Sequence, residues 1–231
     1  MKVIKLRPSA FRFSKRTPMI FTQPSFETQR ERMVREQLAE RGIRDERVLD
    51  AMRTVPRHEF VPESWRENAY EDRPLPIGEG QTISQPYIVA AMLQHLALGA
   101  TDRVLEVGTG SGYVTALLSL LCAEVFSVER YAALAHAAEA TLVRLGYRNV
   151  TITVGDGSLG WSEHAPFDAI LVSAAAGDVP KALFEQLREG GRMMIPIGSA
   201  LTQELQLIRK VNGEAMVILL EGCRFVPLVS G

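Results

Sequence analysis

The sequence predicts an α/β fold, a doubly wound and mostly parallel seven-stranded sheet that ends in a C-terminal antiparallel hairpin and is preceded by helices. Three observations predict it. After Pro86, short apolar runs of strand length alternate with helical stretches; a glycine-dense loop follows the first of those runs; and the last two runs meet at Asn212-Gly213 with no helix between them. At 231 residues the chain supports one full-sized core and little more.

Residues 1–26 carry Lys2, Lys5, Arg7, Arg12, Lys15 and Arg16, and no acid precedes Glu27. With neither a compact apolar run nor a small-residue cleavage site, they read as a poorly ordered basic tail, with an organellar presequence as the alternative. Residues 27–85 form a helical and cover segment. "ETQRERMVREQLAERGI" spaces Met33, Leu38 and Ile43 among charges, and "RDERVLDAMRTVP" places Val48, Leu49, Met52 and Val55 at helical intervals. Gly42 and Pro56 punctuate these two helices. "PRHEFVPESWRENAYEDRPLPIGEG" has four prolines and no clear period, which reads as an extended cover.

Residues 86–231 form the core domain. In order, the runs are "RVLEVG" (strand), "GYVTALLSLLCA" (helix), "EVFSVER" (strand), "YAALAHAAEATLVRLGY" (helix), "VTITVGDG" and "FDAILVSAAA" (strands), "VPKALFEQLREGG" (helix) and "RMMIPIG" (strand). Right-handed crossovers between such parallel strands put helices on both faces. The two halves of "LQLIRKVNGEAMVILLEGCRFVPLV" close the sheet as the hairpin.

Composition removes several classes of function. With 46% hydrophobic and 23% charged residues and a net charge of −1, the chain is ordinary for a globular protein and lacks a polyanion-binding surface over its whole face. Nucleic acid is not the default partner. No apolar run is long and uninterrupted enough to span a bilayer, so no membrane partner is expected. Cys122 and Cys223 lie in apolar surroundings with no secretion signal before them, which predicts free thiols and a cytoplasmic location. His58, His95, His136 and His164 show no metal-ligand spacing, so no metal is expected.

"LEVGTGSGY" sets Gly108, Gly110 and Gly112 at a strand end that opens a helix, where glycines let the backbone turn tightly and approach a ligand. A dinucleotide fingerprint is excluded because Tyr113 occupies the position of its last glycine. Glu106 precedes the loop. Glu129 ends the second strand, where a carboxylate can accept hydrogen bonds from both hydroxyls of a ribose, and Asp156 in "VGDG" is placed to accept one from an adenine amino group. Each taken singly also fits a plain turn, a loop acid or a helix cap. Together they suit an adenosine with a small charged tail, and they resemble the S-adenosylmethionine-dependent methyltransferases, whose sheets end in the same hairpin. The resemblance implies S-adenosylmethionine as cofactor, with S-adenosylhomocysteine as product, and Glu106, Gly108, Gly110, Gly112, Glu129, Asp156 and Gly157 as its contacts.

The acceptor is indicated by another stretch. "LPIGEGQTISQPYIVA", with "VLEVGTGSGY", "VGDG", "APFDAILVSAAA" and "RFVPLV", resembles the protein-L-isoaspartate O-methyltransferase family over roughly residues 27–229. The tail lies outside that match, which leaves Met19 and Met33 as alternative starts. The resemblance implies methylation of the free α-carboxylate of L-isoaspartyl residues in damaged proteins and peptides. The ester then closes to a succinimide, whose hydrolysis returns part of it to aspartate. The family's active-site serine falls on Ser84, with Thr82, Ile83 and Val226 shaping the acceptor pocket. For Ser84 the competing reading is an N-cap of the helix that starts at Pro86. The rival functions are methylation of another acceptor and a non-catalytic adaptor that keeps the fold. The sequence leaves open the oligomeric state, the preferred client proteins and activity on D-aspartyl sites.

Overall fold

The structure is a computed structural model that describes residues 24–199 and 201–230 of the chain. Most of the basic tail therefore lies outside the described residues. Its last residues belong to the first helix, α1 (Phe26–Arg32), which Ser25 caps by accepting from Thr28 N at 3.2 Å. The helical run continues through a π-turn over Met33–Leu38 and stops at Gly42, whose φ of +101° a side chain would strain. Asp45 then caps α2 (Glu46–Thr54). The apolar positions expected at helical intervals, from Met33 to Val55, are all buried.

The proline-rich stretch differs from an extended cover. It folds into two 3₁₀ segments, Arg57–Phe60 and Glu63–Asn68, followed by a small hairpin of β1 (Leu75–Gly78) and β2 (Gln81–Ile83). Segments of four and six residues are too short to show a period, so the sequence carried no signal for them. They are not merely cover either, since Phe60, Val61, Ala69 and Tyr70 join the core.

The main sheet has seven strands in the order β5-β4-β3-β6-β7-β8-β9: β3 (Arg103–Val107), β4 (Glu124–Glu129), β5 (Val150–Val154), β6 (Phe167–Val172), β7 (Leu187–Gly198), β8 (Gln203–Val211) and β9 (Glu214–Cys223). The first five are parallel, and β7–β8 and β8–β9 pair antiparallel. Alternate residues of β3 serve opposite cores. Val104 packs with α2, α3 (Pro86–Leu96) and α4 (Tyr113–Leu121), whereas Leu105 and Val107 pack with Phe126, Ile170 and Leu183 of the short α6 (Lys181–Glu185). The helix expected over 179–191 is thus only five residues long. Leu187 to Gly191 join β7 instead, through a register shift opposite Phe167 and Ala169 and with Gly190 at φ +75°.

Chain direction reverses beside β3. From β3 the chain winds outward through β4, α5 (Ala132–Leu145) and β5, then crosses back to place β6 on the other side of β3. Such a switch point leaves a crevice at the carboxyl ends of the strands. Register aligns those ends: Val107 pairs with Val128 on one side and Val172 on the other, and Glu129 pairs with Val154. Gly108, Glu129 and Ser173 therefore emerge at one edge of the sheet.

Candidate active site

The crevice is a cleft enclosing about 790 Å³ of empty space, its open mouth included. Four segments bound it: the glycine loop from Gly108 to Ser111, Glu129 to Tyr131 after β4, Ser173 and Ala174 after β6, and Gln81 to Ser84 of the small hairpin. The C-terminal stretch Val226–Val229 forms the remaining side, held to Ala175 by Ala175 N donating to Val226 O (2.8 Å) and Leu228 N donating to Ala175 O (2.7 Å). Arg130 adds a bond from its guanidinium to Val229 O at 3.2 Å.

Glu129 is nearly buried and braces the loop. Its Oε2 accepts from Gly110 N at 2.8 Å and its Oε1 from Tyr131 N at 2.9 Å, which leaves lone pairs on both oxygens for further donors. Gly108 sits at φ +92°, with Ser173 Cβ 3.5 Å from where its own Cβ would be. A Cβ on Gly110 would meet Ile77 at 3.3 Å, so the hairpin that carries Thr82, Ile83 and Ser84 packs directly on the glycine loop. Gly157 also lies in the wall.

Three residues expected to touch the cofactor stand elsewhere. Gly112 is the N-cap of α4, and it lies outside the wall because it packs on α5, where a Cβ would come within 3.2 Å of Ala138 and 3.3 Å of Leu142. The Asp156 carboxylate caps the turn that follows it, accepting from Ser158 N and Ser158 Oγ, and Gly157 forms the wall in its place. Glu106 is fully buried behind the loop. Its Oε2 accepts from Thr115 Oγ1 and Ser127 Oγ, both at 2.6 Å, and Ser127 in turn bonds Thr109. Glu106 Oε1 has no hydrogen-bond partner among the described residues.

Burial pushes the Glu106 carboxyl up to about 8, with the nearby Glu129 charge adding to the shift and the two hydroxyl donors opposing it. Between about pH 4.5 and 8 the folded protein keeps a proton that the unfolded chain loses, so this group costs about 1.4 kcal/mol of stability for each pH unit climbed. In Glu106→Gln that slope should vanish. Denaturant unfolding of both proteins from pH 5 to 8 checks this, and parallel pH curves would show that Glu106 ionises as an ordinary acid.

The hairpin side of the cavity is built by residues that lay in the aperiodic stretch. Leu75 and Ile83, paired across the hairpin, anchor it in the core. Asp72 accepts from Gln85 Nε2 (2.8 Å) and from Tyr87 N (3.1 Å), which satisfies the start of α3, while Arg41 ion-pairs with Asp72 and lies over the Tyr87 ring. Ser84 is therefore not the cap of α3: Gln85 holds the N-cap position, with no side-chain cap bond. The Ser84 carbonyl accepts from the buried Arg57 at 2.8 Å, whereas its hydroxyl engages no other described residue. Ser84 also borders a second cavity, shared with Pro74, Gln85, Ile88 and Phe225. Cys223 lies there too, its thiol pushed up to about 11 chiefly by burial, which makes it a poor nucleophile. Arg57 and Asp72 gave no sequence signal, because burial of a charged residue in a segment without periodicity is visible only in three dimensions.

The family model for protein-L-isoaspartate(D-aspartate) O-methyltransferase matches residues 28–231. The chain belongs to that family. A protein-L-isoaspartate O-methyltransferase from Opitutus terrae is 60% identical over 200 residues, covering 86% of each chain, and one from Koribacter versatilis is 55% identical over 205 residues, covering 89% of this chain and 92% of that one. Among solved structures, the Plasmodium falciparum putative protein-L-isoaspartate O-methyltransferase in complex with S-adenosyl-L-homocysteine superposes with a TM-score of 0.76 at 30% identity, covering 87% of this chain and 98% of that one. The sheet order and terminal antiparallel pair are thus those of a Rossmann-like methyltransferase.

Proposed function

We infer that this chain is a protein-repair methyltransferase that moves a methyl group from S-adenosylmethionine to the free α-carboxylate of L-isoaspartyl residues in damaged proteins and peptides. The single observation that carries the acceptor assignment is Ser84: an unengaged hydroxyl in the wall common to the sheet-edge cavity and the second cavity. The cofactor residues fit an adenosyl group, because Glu129 keeps free lone pairs beside a loop without bulky side chains. Gly108, Gly110, Glu129 and Gly157 are the contacts we assign to it. When bound, S-adenosylmethionine supplies an electrophilic methyl carbon on a sulfonium.

The chain's own part is positioning. A carboxylate is already ionised at neutral pH, so no base is required, and among the described residues the cavity wall holds no histidine, lysine or cysteine. Tyr113, buried in that wall, has its phenol raised further above the usual range by desolvation and keeps its proton. The Ser84 hydroxyl donates to the acceptor carboxylate, Thr82 and Ile83 shape its seat, and Val226 with the rest of the C-terminal stretch excludes water. Joining an anion to a cation consumes charge, so a dry site favours the transition state over the separated reactants.

Isoaspartyl polypeptides are the proposed partners, reached through the second cavity. The near-zero net charge speaks against nucleic acid, and no helix among the described residues is long and apolar enough to cross a membrane. Both cysteines are free thiols, which fits a cytoplasmic setting. The deciding experiment is transfer of labelled methyl to an isoaspartyl peptide and to its normal aspartyl twin. Label should enter the isoaspartyl peptide alone; equal labelling of both, or none, rejects the assignment.

A further inference from the structure

Arg57 has no exposed surface, and its guanidinium makes no salt bridge to any described acid. Nε donates to Ala69 O at 2.7 Å and Nη2 to Ser84 O at 2.8 Å, while Nη1 has no partner among the described residues. The guanidinium carbon lies 4.8 Å from the centroid of the Tyr113 ring. Ser84 and Tyr113 are both residues of the sheet-edge cavity wall. The guanidinium therefore stands behind that wall, bonded to the Ser84 carbonyl and beside the Tyr113 ring. Asp72, an acid close enough to be felt electrostatically, is already engaged by Arg41, Gln85 and Tyr87.

As a brace for two carbonyls, a neutral donor would serve, and a buried charge is expensive to keep. What the guanidinium adds is a charge that solvent barely screens; burial lowers its pKa from the usual value, but a guanidinium starts so high that it stays protonated in the working range. We propose that Arg57 is a positioning residue for the acceptor, fixing the Ser84 carbonyl and drawing the acceptor carboxylate to the wall in front of it. The proposal rests on the isoaspartyl reading of the site. Its signature is asymmetric, since the carboxylate is an anion when it docks and a neutral ester once methylated. A cation behind the wall stabilises the docked anion more than the transition state, so it tightens acceptor binding without speeding turnover.

The test measures equilibrium binding of two labelled peptides to the S-adenosylhomocysteine-loaded protein by fluorescence anisotropy. One peptide bears the isoaspartyl carboxylate and the other the corresponding carboxamide. The unaltered protein should prefer the carboxylate at least about tenfold. Arg57→Met should bring the ratio close to one and raise KM for the carboxylate peptide with kcat equal or higher, while S-adenosylhomocysteine affinity stays within about threefold. Arg57→Gln, which keeps donor groups for the carbonyls but carries no charge, should lose the preference as Arg57→Met does. An unchanged ratio in Arg57→Met overturns the proposal, as does equal loss of both peptides together with S-adenosylhomocysteine, which would mark a purely structural role. Should Arg57→Met not fold, the Gln variant decides alone: parity supports the proposal and a kept preference rejects it. Failure of the unaltered protein to bind or methylate the isoaspartyl peptide would count against the proposed function and not against Arg57.

Discussion

Replacing Glu129 by alanine is expected to weaken S-adenosylhomocysteine binding by at least about 100-fold, because two effects fall on one side chain. The carboxylate is the acceptor we assign to the ribose hydroxyls, and hydrogen bonds to a charged group contribute about 1.5–3 kcal/mol each. It also accepts from Gly110 N and Tyr131 N, so its loss leaves the glycine loop and the start of α5 without a brace. Glutamine should rescue little. Each carboxylate oxygen meets a backbone N–H, and an amide must turn its NH₂ toward one of them, exchanging an attraction for a repulsion. Isothermal titration with S-adenosylhomocysteine reads the result directly, with thermal melting as a control for folding. Affinity within about threefold of the original would remove Glu129 from the cofactor site.

That prediction draws on a part of the molecule that was legible in the sequence. Apolar runs with a length and period fix strands and helices, and positions such as Gly108 and Glu129 follow from where those runs stop. The same reasoning did not foresee what Glu106, Gly112 and Asp156 pack against. A motif places a residue along the chain to within the loop, but the direction of its side chain is set by what packs behind the loop. Behind it here are Thr115 and Ser127 for Glu106, Ala138 and Leu142 for Gly112, and Ser158 for Asp156. The contacts of Glu106 with Ser127 and of Gly112 with Ala138 and Leu142 are far apart in sequence and carry no local period, whereas Asp156 makes a local cap two residues on. The acceptor side was legible only through family resemblance. Arg57, Asp72 and the 3₁₀ segments between them lie where prolines interrupt every pattern, and their role depends on a fold-wide contact with Ser84 and Gln85.

Ser84→Ala separates the acceptor site from the cofactor site. The hydroxyl engages no other described residue and does not cap α3, so its removal should leave the melting temperature nearly unchanged. The carbonyl that Arg57 holds belongs to the backbone and survives the substitution, which keeps the turn in place. What is lost is one donor to an ionised acceptor, about 1.5–3 kcal/mol, or about 10- to 150-fold in kcat/KM for an isoaspartyl peptide. S-adenosylhomocysteine should bind within about threefold of its original affinity, since Glu129 and the glycine loop are untouched. Threonine at this position restores a hydroxyl with an added methyl group and should recover part of the loss if the seat has room for it. Steady-state methyl transfer and titration on the same preparations give both numbers. Parallel loss of turnover and cofactor affinity would reassign Ser84 to the cofactor site, and full activity of the alanine variant would leave acceptor placement to the backbone amides of the hairpin alone.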